Sequence, residues 1–177
     1  MTNDTYIELC KKIKERDQTN KMVAALHEMG HYLVATNIKS SIITVRVDSI
    51  QLLQSINGKW YGFTRITYIP NEDSIDPNKY HLEVRKKKLR IANAGMCVEK
   101  AMFGAYDTKG CENDQEMIDE AKLFIRENDP DFDIDKYLQE SETILKKHLN
   151  TIALRAFKLY YKTLNAVIQY PEEIYQE

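Results

Sequence analysis

The sequence predicts an α+β fold that is mostly helical, with one small sheet between the second and third helices. Three observations lead there. Apolar residues recur at helical spacing on both sides of the chain's middle. A dense β-branched block, Ile42-Ile43-Thr44-Val45-Arg46-Val47, stands alone between those segments. Just beyond it, Asn57-Gly58 separates two strand-like runs, a strong hairpin signal.

Taken in order, residues 6–16 read as a short charged helix. Asp17-Gln18-Thr19-Asn20 supplies capping residues for a second helix over about 21–36. Val23, Leu26, Gly30, Leu33 and Val34 give that helix a core-facing stripe. Gly30 costs helix propensity, and a small residue there lets another backbone or a ligand come close. The β section holds strands at 42–47, 50–56 and 59–69, and residues 70–77 read as a loop. A third helix, 78–103, stops at Gly104. After a loop at 105–112, a helix over 113–127 is stopped by Asn128-Asp129-Pro130. The last element is one long helix from 134 to about 169. Tyr137, Ile144, Leu145, Leu149, Ile152, Ala156 and Leu159 lie near helical spacing in it.

With 177 residues the chain suits one domain, 1–177, whose first 20 residues form a helix and linker. Hydrophobic residues at 43 % and charged residues at 29 % are ordinary for a soluble globular protein. A net charge of −2 makes no electrostatic case for nucleic-acid binding. The one basic cluster, Arg85-Lys86-Lys87-Lys88 with Arg90, reads as a solvated helix face. Cys10, Cys97 and Cys111 are odd in number and widely spaced, which suits a reducing compartment. No apolar run approaches a membrane span, and the polar N-terminus does not resemble a secretory signal, so a cytoplasmic location is expected.

The chemistry centres on His27-Glu28-Met29-Gly30-His31. On a helix, histidines at i and i+4 lie one turn apart on one face, so both imidazoles reach one metal ion. The glutamate beside the first is placed to handle a proton on water activated there. A catalytic zinc needs a third protein ligand. His81, His148, a cysteine and many carboxylates are candidates, and spacing alone does not choose among them. His148 and His81 read as surface or packing residues, and Cys97 as a buried small hydrophobe.

Leu26-His27-Glu28-Met29-Gly30-His31-Tyr32-Leu33-Val34 resembles the H-E-A-G-H helix of the FtsH-type zinc peptidases. Downstream, Thr108-Lys109-Gly110-Cys111-Glu112-Asn113-Asp114 resembles that family's T-G-G-A-E-N-D segment. The aspartate closing that segment is the family's third zinc ligand, and Asp114 stands in its place. Between them, Gly95-Met96-Cys97-Val98-Glu99-Lys100-Ala101-Met102-Phe103-Gly104 is similar to G-R-A-A-E-E-L-I-F-G, and Gly62-Phe63-Thr64 with Pro70 is similar to G-Y-T and its proline. The resemblance covers residues from about 20 to 165. It implies zinc held by His27, His31 and Asp114, with Glu28 as the catalytic base. Asn113 would cap the helix that carries Asp114. Glu99 matches the first glutamate of the family's pair and is suited to accept the free N–H of a ligating histidine. Lys100, Lys109 and Cys111 depart from the family pattern and bear on loop shape and zinc affinity.

The implied activity is zinc-dependent endopeptidase hydrolysis of unfolded or flexible polypeptides, with substrate lying along an exposed sheet edge such as residues 62–66. The chain holds no G-x-x-x-x-G-K-[ST] phosphate loop, so it lacks that route to ATP-driven unfolding. Partners implied are a polypeptide substrate and either further copies of the chain or a separate AAA+ ATPase. The rival reading is a non-catalytic module that keeps the peptidase fold and partners such an ATPase.

Overall fold

The computed structural model describes residues 5–162. Their elements run α1 (Thr5–Arg16), α2 (Lys21–Asn37), β1 (Ile43–Gln54), β2 (Trp60–Pro70), α3 (Pro77–Phe103), α4 (Glu112–Asn128), α5 (Ile134–Lys147) and α6 (Leu149–Lys162). The fold is α+β and mostly helical, and its one sheet is the antiparallel β1–β2 pair between the second and third helices.

α2 organises the rest. It is buried around nearly its whole circumference rather than along one stripe: Met22, Ala25, Leu26, Met29, Leu33, Val34 and Ala35 all lie in the core. A helix apolar all round belongs inside a protein. α3 and α6 flank it, and the hairpin packs across it. Its start is built by Asp17, not by the residue next to the helix. Asn20 is left-handed (φ 60°) and makes no side-chain cap. Asp17 Oδ2 instead accepts from the Met22 amide at 2.8 Å, while Oδ1 accepts from the Thr19 amide at 2.9 Å. The Trp60 amide donates to the Thr19 carbonyl at 3.0 Å, and the buried Lys21 ammonium sits 4.2 Å from the centre of the Trp60 ring. These contacts pin β2 to the beginning of α2.

The β section differs from its sequence reading. The runs 42–47 and 50–56 are not two strands but one, β1, bent by a bulge between Val47 and Ser49. Asp48 is the extra residue, and its carboxylate accepts from Arg46 Nε at 2.7 Å and from the Thr67 hydroxyl. A bulge adds one residue to a strand without breaking the ladder, so its flanks read as separate strands in a linear pattern. Gly58, at φ 81°, turns the hairpin as Asn57-Gly58 predicted.

α3 has 27 residues, so it is about 40 Å long. Asp76 caps it by accepting from the Asn78 and Lys79 amides, Pro77 occupies its first turn, and left-handed Gly104 closes it. One side of α3 (Ile91, Ala94, Val98, Met102) joins the core around α2. The other (Leu89, Ala92, Met96) joins a second core with Ile118, Ala121 and Ile125 of α4. The basic run lies in this region and is not a solvated face. Lys86 pairs with Asp129 at 2.7 Å, buried Lys87 with Glu83 at 2.8 Å, Arg85 with Glu120 at 3.2 Å and Arg90 with Glu140 at 3.7 Å. Long basic stems cover apolar surface while their heads meet carboxylates on α3 itself, on α4 and α5, and in the loop between those two.

The final long helix is likewise two. α5 ends at His148, whose amide bonds back to the Leu145 carbonyl, and α6 begins at once. α5 packs on α3, whereas α6 packs on α1 and α2. Two docking directions require a bend, and no proline or glycine marks it in the sequence. The predicted stretch beyond residue 162 lies outside the described residues.

At Gly30 the backbone of α2 lies close against α3. A Cβ there would stand 2.8 Å from the Ala94 carbonyl oxygen and 2.9 Å from Val98 Cγ2. Gly30→Ala should therefore destabilise the protein by about 1–3 kcal/mol, although alanine gains roughly 1 kcal/mol of helix propensity. Urea unfolding measures the balance, and a stability equal to or above wild type would refute the account of this crossing.

Candidate metal centre

Three helices and one strand converge beside that crossing. α2 supplies His27, Glu28 and His31, α3 supplies Glu99 and the Ile91 carbonyl, α4 supplies Asp114 from its first turn, and β2 supplies Gly62 and Thr64. The five ionisable side chains are all buried, from 3 % exposure at Glu99 to 8 % at His27 and Asp114. Burial of so many ionisable groups is costly unless each is paired or holds a metal.

The pairing is complete and directional. His27 Nδ1 lies 2.6 Å from Glu99 Oε1, and His31 Nδ1 lies 2.7 Å from the Ile91 carbonyl oxygen. A carbonyl only accepts, so His31 carries its proton on Nδ1 and turns Nε2 toward the centre. His27 Nε2 and His31 Nε2 lie 2.7 and 3.2 Å from the same oxygen, Asp114 Oδ2. Glu99 is itself held, since its second oxygen accepts from the Asp107 amide at 2.9 Å. Outer partners of this kind fix ring direction and tautomer in metal sites.

Two glycines make the room. A Cβ on Gly95 would lie 2.3 Å from His27 Nε2, so the imidazole occupies the place of a side chain on α3. A Cβ on Gly62 would lie 2.0 Å from Glu28 Cγ, so the Glu28 carboxyl group rests directly on the β2 backbone. The Thr64 hydroxyl, two residues along the same face, donates to Glu28 Oε2 at 2.5 Å.

The charges respond to this packing. Burial pushes the His27 imidazolium toward neutrality, but bonds to Asp114, Cys111 and Glu99 overcome it and hold its pKa well above the usual histidine value. His31 is raised for a similar reason, burial being outweighed by the Asp114 charge. Burial acts to raise Asp114, yet the two histidines hold its carboxyl well below the usual carboxylate range. Burial pushes the Cys111 thiol up.

The donor set fits a zinc-sized cation. Two imidazole nitrogens and a carboxylate oxygen are accepted zinc ligands. Donors of a tetrahedral site lie about 3.3 Å apart; His31 Nε2 stands 3.2 Å from Asp114 Oδ2, and His27 Nε2 stands closer, at 2.7 Å. Among the described residues a second group, His27, Glu99 and Cys111, also approaches metal-binding distances. The first group is the better site. Its three residues and Glu28 all line one cleft of about 950 Å³, whereas Cys111 does not. Choosing the second would also take Glu99 from its role of holding His27.

Of the other residues considered from sequence, His81 and His148 are exposed and stand apart from the centre. Cys97 is half-buried, with its sulfur 3.1 Å from the Asn93 amide nitrogen. Asn113 does not cap α4: it is exposed within the first turn, and Cys111 occupies the cap position without a side-chain bond. Lys100 and Lys109 are exposed, while Cys111 packs 3.8 Å from His27 Nδ1. Sequence reasoning assigned no role to Thr64, or to Gly62 and Gly95 as spaces. A lone glycine inside a strand was the available signal for Gly62. The i, i+4 spacing of Gly95 and Glu99 was the signal for a shared helix face.

A comparison of the chain with protein-family models gives no match, and neither does a comparison with curated proteins.

Metal titration followed by calorimetry tests the centre. Wild type should bind one zinc ion per chain, and His31→Ala should bind none at that site. Glu99→Gln should weaken zinc by about 10–100-fold while circular dichroism stays unchanged. Undiminished affinity in Glu99→Gln would contradict its part in orienting His27.

Proposed function

We propose that this protein is a zinc-dependent metalloendopeptidase of FtsH type that hydrolyses peptide bonds in unfolded or flexible polypeptides. The observation that carries this reading is the meeting of His27, His31 and Asp114 on one point, with Glu28 beside them, in the wall of an open cleft. The likeness of residues 26–34 and 108–114 to the family's two motifs supports the same assignment.

When bound, zinc supplies a Lewis acid that polarises the scissile carbonyl and acidifies water. The chain's own residues do the remainder. Glu28 accepts the proton of the attacking water on its carboxylate and passes it to the leaving nitrogen. Water oxygen joins the carbonyl carbon, the C–N bond breaks, and the proton ends on the new amine. Thr64 fixes the plane of the Glu28 carboxylate through Oε2. Glu99 and the Ile91 carbonyl keep both imidazoles aimed inward.

β2 is suited to present the substrate. Among the described residues the sheet has two strands, so each keeps one unpaired edge, and residues 61–66 of β2 line the cleft whereas β1 does not. An extended segment adds to such an edge through backbone hydrogen bonds. Only a chain free of its own secondary structure offers them, which favours unfolded substrates.

Glu28→Gln keeps the size of the side chain and removes the base. It should retain zinc and lose about 10²-fold or more of its activity on casein. Comparable cleavage by this variant would sink the role given to Glu28. Stoichiometric zinc with no cleavage by wild type, of casein or of short peptides, would favour the non-catalytic peptidase-fold module instead.

Casein cleavage by this chain should proceed at one rate with and without ATP, and a stably folded protein should survive intact. Opening a folded domain costs about 5–15 kcal/mol, and the sequence holds no phosphate loop to drive it. Stimulation of the purified chain by ATP would overturn this expectation.

A further inference from the structure

The cleft is asymmetric about the metal centre. Toward the start of α2 its walls are polar and mixed in charge, with Asn20, Lys59, Asp107 and Lys109. Toward the start of α3 they are apolar: Ile66, Tyr68, Ile91, Ala92 and Met117. Half-buried Lys88 stands in that apolar wall, and exposed Arg65 lines the cleft beside Ile66. Lys88 belongs to the basic run, and its neighbours Arg85, Lys86, Lys87 and Arg90 each meet a carboxylate. Among the described residues Lys88 has no carboxylate partner; its half-buried ammonium lies 6.0 Å from the centre of the Tyr68 ring. Four of five clustered cations thus meet carboxylates, and the fifth lines the cleft with its ammonium near the Tyr68 ring.

We propose that Lys88 receives a carboxylate of the substrate, either an acidic side chain or the C-terminal carboxylate, and so sets where the peptide is cut. This rests on the peptidase reading above. An ammonium set among apolar side chains of a cleft gains from an anionic partner more than a rim lysine does, because a peptide seated there displaces water that would screen the pair. A neutral isostere would leave the cation unpaired, which is the strongest basis for discrimination at a polar pocket. The position is also in reach. Lys88 precedes Gly95, against which His27 packs, by seven residues, or about 10 Å along α3. An extended peptide covers that distance in about three residues.

The test uses the zinc-loaded protein and peptides amidated at the C-terminus, with Glu or its isostere Gln placed at each of three positions on either side of the cleaved bond. A further Gln peptide ends in a free carboxylate three residues beyond that bond. Wild type should favour Glu over Gln at one position by about 10-fold in kcat/KM, or the free acid over the amide by a similar factor. The first result identifies an acidic side chain as the ligand and the second a chain terminus. Lys88→Met should bring that ratio to about one, Lys88→Arg should restore it, and Lys88→Glu should invert it toward a Lys-containing peptide. No preference at any position in wild type, or a preference that survives Lys88→Met, overturns the proposal. Fluorescence anisotropy with the Glu28→Gln protein separates this failure from failure of the peptidase reading. Tighter binding of the Glu peptide, or of the free acid, that Lys88→Met abolishes supports the pocket even where nothing is cleaved, and equal binding of Glu and Gln peptides together with equal binding of free acid and amide refutes it.

Discussion

The structure depends on how closely α3 approaches the buried helix α2. The approach is possible because Gly30 meets the Ala94 carbonyl and Gly95 meets the His27 ring with no Cβ between them. A larger residue at either point forces backbone or imidazole aside. Close approach brings the Ile91 carbonyl within 2.7 Å of His31 and Glu99 within 2.6 Å of His27. A buried helix that carries two histidines and a glutamate needs such partners, since each one left unpaired inside the protein would cost several kcal/mol.

The second core extends this constraint to α4. Leu89, Ala92 and Met96 of α3 pack on Ile118, Ala121 and Ile125 of α4, which fixes the level at which α4 begins. Asp114 then falls opposite the two imidazoles. Glu99 ties the connecting loop to the same place through the Asp107 amide. The paired basic residues Arg85, Lys86 and Arg90 clamp α3 to α4, to α5 and to the loop between them. Side chains that look like a solvated face in the sequence therefore help to hold the helices that position the carboxylate.

The hairpin closes the remaining side. Its bulge at Asp48 lets one strand stay paired over its whole length while bending. Trp60 anchors the start of β2 near the beginning of α2, and Gly62 then brings the strand onto Glu28. The same strand thus touches the candidate base with one face and offers an unpaired edge to the cleft. The departures at Lys100 and Lys109 fall on exposed positions, whereas Cys111 lies against His27 and Glu99. Of the three, only Cys111 touches the candidate metal ligands.

Local chemistry was enough to determine much of this from the sequence. The spacing of His27 and His31 puts both on one helix face, Gly58 turns the hairpin, and Gly104 ends α3, because each is a matter of backbone geometry over a few residues. The chemistry of a catalytic zinc called for a third ligand that spacing could not choose, and only the likeness of 108–114 to a known segment pointed to Asp114. Tertiary structure decided what depends on distant partners. Residues 42–56 form one strand because β2 pairs across the bulge, and the last helix breaks at His148 because its halves dock on different helices. Lys86 and Lys87 are packed rather than solvated because carboxylates and aromatic rings meet them, and Lys88 lines a cleft that no linear pattern describes. A sequence reports the intrinsic preference of a segment, whereas burial and pairing belong to the surfaces it meets, and those exist only once the chain has folded.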